Sequence, residues 1–244
     1  MSTPFHVVIP ARWHSTRLPE KMLADLGGIP LVVRTAQQAL QSQAKSVTVA
    51  TDDERILQAV QSFGLSAILT DRDHTSGTDR LAQAARLLAL PDDCLIVNVQ
   101  GDEPRIAPAL IDQVAQALAE DTESHMSTCA KVLTDETQRL NPNVVKVVCD
   151  RHNRALYFSR AAIPHIRENA LAPCLHHIGL YAYRNAFLQV FSRLEPGLLE
   201  QTESLEQLRV LENGYRIHVA ITTLPHEAGV DTHEDLERIR RQYT

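Results

Sequence analysis

With 244 residues, 44% of them hydrophobic and 22% charged, the chain can bury one large or two modest cores and has the balance of an ordinary globular protein. A net charge of −6 excludes the basic excess that broad nucleic-acid or membrane-surface binding requires. No apolar stretch approaches the roughly 20 residues needed to span a bilayer, and no basic-then-apolar signal region opens the chain, so the expected location is cytoplasmic.

The first element follows Phe5, where Val7, Val8 and Ile9 form an apolar run suited to a strand covered on both faces. Pro10 is expected to stop its ladder. The loop beyond carries Arg12, Arg17 and Lys21 before any helix begins. Ligands of open α/β sheets collect beyond the carboxyl ends of strands, arginine forks grip phosphate oxygens and lysine adds a point charge. Three cations on one strand exit therefore suggest a triphosphate site, although a solvated loop accounts for them equally well when they are taken alone.

Residues 46–64 read as a strand of β-branched residues, then Thr51 or Asp52 as a helix cap, then Ile56, Leu57, Val60 and Phe63 at helical spacing, closed by Gly64. The cycle repeats with a short strand near 67–70, a helix over 79–90 and an apolar strand over 94–100. Repeated βαβ units predict an α/β fold with a mainly parallel sheet and helices on both faces. The second half changes texture. Two strand-like runs between Met126 and Cys149 flank a polar stretch containing Asn141, Pro142 and Asn143, a pattern typical of a small subdomain or dimer surface. A strand over 178–183, helices over 186–193 and 203–212, a strand over 217–222 and an amphipathic helix after Asp231 complete the chain. With no internal repeat or low-complexity linker, residues 1–244 read as one domain whose second half is elaborated.

Two acidic motifs carry candidate chemistry. In NVQGDEP, residues 98–104, Asp102 and Glu103 lie just beyond an apolar strand, on the rim that Arg12 faces, with Gly101 permitting a tight turn. Magnesium takes only one or two protein carboxylates alongside phosphates and waters; the alternative is that Asp102 caps a helix starting near Ala107. Asp231 in GVDTHEDL supplies a second carboxylate, although Thr232 or Asp231 followed by Glu234 or Asp235 also reads as a cap. In RDHTSGTDR, residues 72–80, backbone amides near Gly77 offer donors to a base or a phosphate. The sequence has no GxxxxGK[ST], GxGxxG or GxSxG motif and no HExxH among its eleven histidines, which argues against the commonest nucleotide, hydrolase and zinc folds. Its four cysteines lack a CxxC pairing and read as buried reduced thiols. What remains is chemistry by positioning and charge neutralisation, as in phosphoryl or nucleotidyl transfer.

Taken in order, IPARWHSTRLPEK, HTSGTDR, VNVQGDEP, NPNVVKVV, LYFSRAAIP, HIGLYAY, LEQLRVLENG and GVDTHEDL resemble the 3-deoxy-manno-octulosonate cytidylyltransferases, or CMP-Kdo synthetases, over almost the whole chain. The resemblance implies a Rossmann-like sheet of the nucleotide-diphospho-sugar transferase type, with a small inserted β-rich dimerisation subdomain. Residues 1–125 would form the CTP-binding half and 126–244 the sugar-binding and dimerisation half, with 144–163 a candidate interface of a homodimer. It implies the reaction of CTP with Kdo to give CMP-Kdo and pyrophosphate. Arg12 and Lys21 would hold the triphosphate with Ser15 and Arg17 close by, Asp102 and Asp231 would bind magnesium, and Ser76 and Gly77 would read the base. Arg80 and Gln100 look sugar-facing, and Arg160, His177, Tyr181, Glu206 and Gln207 match motifs that line the acid-sugar pocket. A CMP-sialic acid or CMP-8-amino-Kdo synthetase would share the metal and triphosphate groups; a catalytically silent nucleotide-sugar binding protein would need neither Asp102 nor Asp231. Two departures stand out. Glu20 replaces the glycine of the usual RLPGK, where its carboxylate either opposes phosphate attraction or points outward. The stretch 165–176 is shorter than in many relatives, which bears on the sugar-pocket lid and the dimer contact.

Overall fold

The computed structural model describes residues 3–15, 17–74, 76–167 and 173–243. Strand β1 (Phe5–Ala11) leads through a 3₁₀ turn (Lys21–Leu23) to α1 (Leu31–Ala39), followed by β2 (Ser46–Thr51), α2 (Glu54–Ser62), β3 (Ser66–Leu69), α3 (Gly77–Leu87), β4 (Leu95–Asn98) and α4 (Pro108–Glu120). The second half adds β5 (Met126–Val132), α5 (Glu136–Leu140), β6 (Lys146–Cys149), β7 (Ala155–Ser159) and β8 (Leu175–Arg184). It ends with α6 (Asn185–Phe191), α7 (Leu198–Glu203), α8 (Leu208–Glu212), β9 (Ile217–Ile221) and α9 (His233–Arg240).

One sheet runs through both halves in the order β3-β2-β1-β4-β8-β5-β9, with β6 paired to β7 and β8 beside this path. Along the path only β8 runs against its neighbours, so the carboxyl ends of β1, β4 and β9 open on one rim. Alternating side chains of the strands feed two cores. Val7 and Ile9 pack with α1, α4 and α9 on one face, and Val8 packs with α3, α6 and α8 on the other. All three are fully buried, as a strand with helices on both faces requires.

The 165–176 stretch includes residues 168–172, which lie outside the described residues, so its proposed shortening is not placed here. Elsewhere three expectations change. Pro10 does not end β1, since Pro10 and Ala11 still pair with Ala50 and Thr51 of β2. Val8 already gives its carbonyl to Val99 on the β4 side, and Pro10, two residues on, faces that same side. There β4 has ended at Asn98, so no partner strand requires the missing N–H. The cap of α2 is Asp53 rather than Thr51 or Asp52, its carboxylate accepting from the Arg55 amide at 2.9 Å. The expected helix over 203–212 forms only over α8, with Glu203 ending α7 and residues 204–207 outside either helix. Glu203 gives its carbonyl to Arg160 Nε at 2.8 Å, and Ser204 turns into the left-handed region at φ 52°, which drops Leu205 into the core before α8 begins.

Asp53 accepts from Nε and Nη2 of Arg55 at 2.8 and 2.7 Å as well as capping α2. Hydrogen bonding from Arg55 holds its carboxyl near 2, below its usual 3.8. A depressed carboxyl contributes stability above its unfolded pKa and loses it as the pH falls through the folded value. Asp53→Ala should lower unfolding free energy by about 1 kcal/mol at pH 7, and the difference from the parent should shrink between pH 4 and 2. Urea denaturation at both ends of that window checks it, and an unchanged midpoint at pH 7 would return the cap to another residue.

Candidate active site

β1 delivers Arg12 to the rim on an exposed loop, and the 3₁₀ turn brings Lys21 back beneath it. Lys21 is only 7% exposed, with Nζ 2.6 Å from Asp102 Oδ2 and 3.2 Å from Asp231 Oδ1. Arg17 Nη2 reaches the same Asp231 oxygen at 3.0 Å. One ammonium thus ties the exits of β1 and β4 to the loop after β9. Neither acid is used as a helix cap. Ala107 stands at the N-cap of α4, while Thr232 caps α9 in a reciprocal box with Asp235, leaving the Asp231 carboxylate to the cations.

These residues line a cleft of ≈ 340 Å³ together with Ser15, Ser76, Gly77, Arg80 and Gln100. The whole nucleotide set of the sequence reading is therefore in one place, with two residues of the sugar set. Four cationic side chains face two carboxylates there, a local positive excess in a chain of net charge −6. Such a lining suits a polyanion. Ser76 caps α3 through the Asp79 amide, in a second capping box, so the first turn of that helix opens on the cleft.

The remaining sugar residues lie behind and beside the cleft. Glu206 lines a neighbouring cavity that shares Ser76 with the first. Its Oε2 accepts from Thr78 Oγ1 at 2.8 Å, and burial raises its pKa. Among the described residues, Glu206 Oε1 and Gln207 Nε2 are buried without a hydrogen-bond partner. His177 and Tyr181 stand in ring contact, centroids 5.6 Å apart. Burial pushes His177 down to about 3 and raises Tyr181 well above its ordinary value, so both stay neutral. Thr128 Oγ1 has the carbonyls of Ile178 and Leu180 at 2.9 and 2.8 Å for its single proton. It therefore accepts from His177 Nε2–H at 2.9 Å, which fixes the tautomer and leaves Nδ1 an acceptor. The Arg160 guanidinium faces the carbonyls of Glu203, Pro142 and Ser204 and lines neither cavity.

Asp52, a cap candidate by sequence, instead holds the site together. Its Oδ1 accepts from the Trp13 amide and its Oδ2 from Arg80 Nη2, both at 2.9 Å. Asp52 thereby fastens the cationic loop to the helix that carries Ser76 and Gly77. Trp13 is clamped from outside by Arg55, whose guanidinium carbon stands 3.4 Å from the ring centroid. Only the strand-to-helix position of Asp52 hinted at this. Burial, then the neighbouring Asp102 charge, push the pKa of Glu103 up to about 8, so a protonated carboxyl adjoins Asp102 at neutral pH.

Glu20 is exposed and outside the cleft lining. Its charge acts on Arg55, and its backbone is left-handed, φ 56° and ψ 22°. A glycine is favoured there for its backbone freedom, and the glutamate carboxylate does not oppose phosphate in the cleft.

A cleft at the carboxyl ends of parallel strands, with an excess of cations around two acids, defines a polyphosphate- or nucleotide-binding α/β protein. The sequence profile of the cytidylyltransferase family matches residues 6–217. The 3-deoxy-manno-octulosonate cytidylyltransferases of Polynucleobacter necessarius and Polynucleobacter asymbioticus are each 54% identical over 240 residues, covering 97% of this chain and 94% of theirs. The solved structure of a CMP:2-keto-3-deoxy-manno-octonic acid synthetase complexed with CTP superposes with a TM-score of 0.92 at 40% identity, covering 99% of this chain and 98% of that one. A cytidylyltransferase from Leptospira borgpetersenii shares the fold alone, with a TM-score of 0.64 at 16% identity over 98% of this chain and 85% of that one. The chain belongs to the cytidylyltransferase family, among its 3-deoxy-manno-octulosonate cytidylyltransferases.

Glu20→Gly should raise the stability of the protein by about 1 kcal/mol by relieving the left-handed strain. Urea denaturation measures it; a loss of stability would contradict the assigned conformation.

Proposed function

We propose that the chain transfers CMP from CTP to 3-deoxy-manno-octulosonate, releasing pyrophosphate and giving CMP-Kdo for lipopolysaccharide synthesis. The observation that carries the reading is the Lys21 ammonium bonded to both Asp102 and Asp231 in a cleft with Arg12, Arg17 and Arg80. The anomeric hydroxyl oxygen forms a bond to the α-phosphorus as the α-phosphorus bond to the β,γ-pyrophosphate breaks, and the hydroxyl proton leaves to solvent. Arg12, Arg17 and Lys21 neutralise the triphosphate and the departing pyrophosphate, with Ser15 alongside, and Ser76 and Gly77 present the first turn of α3 to the base.

Asp102 and Asp231 offer hard oxygen donors converging on one cation, Lys21, a donor set that fits magnesium. Asp102 and Asp231 would hold such an ion, which would supply divalent charge against the phosphates and lower the pKa of a hydroxyl near it. On the sugar side, Arg80 and Gln100 face the cleft, and the unpartnered Glu206 Oε1 and Gln207 Nε2 offer an acceptor and a donor. Neutral His177 and Tyr181 support hydroxyl groups without adding charge. The acid group is assigned to Arg160 by the motif it matches; its guanidinium donates to the carbonyls of Glu203, Pro142 and Ser204 beside the cleft. A homodimer through 144–163 accords with the exposed Leu156 of β7, 62% accessible.

Pyrophosphate release from CTP and magnesium should be fastest with Kdo when Kdo, its 8-amino analogue and sialic acid are compared; release with none of them favours a binding protein. Asp102→Asn and Asp231→Asn should each lose at least about 10²-fold in turnover with an unchanged circular dichroism spectrum, and near-normal release in either would refute its assignment. Lys21→Ala should mainly raise the CTP concentration required.

A further inference from the structure

Four described glycines, Gly27, Gly28, Gly64 and Gly214, have positive φ and meet a backbone need. Gly229 is not among them, so what it provides is the lack of a Cβ. A Cβ there would lie 3.1 Å from the Asp102 carbonyl oxygen, 3.4 Å from Asp102 Oδ1 and 3.5 Å from Glu103 Cγ. That carbonyl cannot easily withdraw, because it accepts from the Val230 amide at 2.9 Å and Val230 is itself fully buried. On its other side the same loop is equally tight. A Cβ on Gly101, which also lacks a positive φ, would lie 3.0 Å from both the Pro10 carbonyl oxygen and Met22 Sδ.

The Asp102 loop is thus wedged between the exit of β1 and the loop that carries Asp231, and its contact with the latter runs backbone to backbone. We propose that Gly229 is a positioning residue that sets how closely Asp231 approaches Asp102, and through that spacing the size of the cation the two acids hold. The inference rests on the reading of Asp102 and Asp231 as a divalent-cation pair. A methyl group at 229 moves the two loops apart by a few tenths of an ångström, since a contact of 3.1 Å to a pinned carbonyl has to lengthen. Magnesium requires near-ideal octahedral geometry at about 2.0–2.1 Å, whereas calcium accepts flexible geometry at about 2.3–2.6 Å. Opening the pair therefore penalises the smaller ion.

The test measures binding of manganese alone to the full-length protein by electron paramagnetic resonance, with magnesium and calcium as competitors. The parent, Gly229→Ala, Val230→Ala and Asp231→Asn are compared, each checked by thermal unfolding. Gly229 lies in a loop outside the sheet, so its alanine variant is expected to fold. In Gly229→Ala the magnesium concentration that displaces manganese should rise at least about tenfold relative to that of calcium. Val230→Ala, which removes buried contact but adds nothing against Asp102, should lower the melting temperature and leave the ratio alone. An unchanged ratio in Gly229→Ala, or an equal shift in Val230→Ala, overturns the proposal while leaving the cation pair standing. Manganese binding that is unaffected by Asp231→Asn, or absent from the parent, overturns both.

Discussion

The site depends on a single buried ammonium. Lys21 has little freedom, at 7% exposure and with carboxylate oxygens at 2.6 and 3.2 Å, and burial at that depth is tolerable for an ammonium because acceptors meet it there. The two partners come from chain positions about 80 and 210 residues away, so the interaction exists only when β1, β4 and the segment after β9 share one rim. The topology supplies that arrangement. Strands β1 and β4 are parallel neighbours, and β8, inserted antiparallel, leaves β5 and β9 pointing the same way as β4.

Around this contact the cleft is built by fastening loops to one another and to the helices α1 and α3. Asp52 ties the Trp13 amide to Arg80, Val230 ties its amide to the Asp102 carbonyl, and Thr35 Oγ1 donates to the Gly101 carbonyl at 3.0 Å. Each bond is modest alone. Together they hold the cations and acids at fixed separations without a substrate, which is the condition for catalysis by preorganised charge. The side proposed to take the sugar is organised differently. Its polar atoms are buried and partly unpartnered, as with Glu206 Oε1 and Gln207 Nε2, an arrangement that discriminates strongly against a ligand unable to pair them.

Much of this was legible in the sequence because it follows from local patterns. The apolar runs of β1 and β4 and the helical spacing of α2 and α9 mark the elements, and the charges sit at strand exits, where α/β sheets place ligands. What was not legible depended on tertiary partners. Nothing local distinguishes Asp52 from Asp53 as a cap, since the choice is made by Trp13 and Arg80, distant in the chain. Pro10 reads as a stop until the early end of β4 is known. The break at Ser204 follows from Arg160 taking the Glu203 carbonyl, and the outward course of Glu20 follows from a left-handed backbone that a glutamate rarely adopts.

The central claim is that Lys21 and Asp102 act as one charge-matched unit on the triphosphate and its metal. A double-mutant cycle on kcat/KM for Kdo-dependent pyrophosphate release, using Lys21→Ala, Asp102→Asn and the pair, tests it most directly. Residues acting as a unit give losses that do not add, so the double variant should be little worse than the poorer single variant. Losses that sum in full would show two independent contributions and contradict the account.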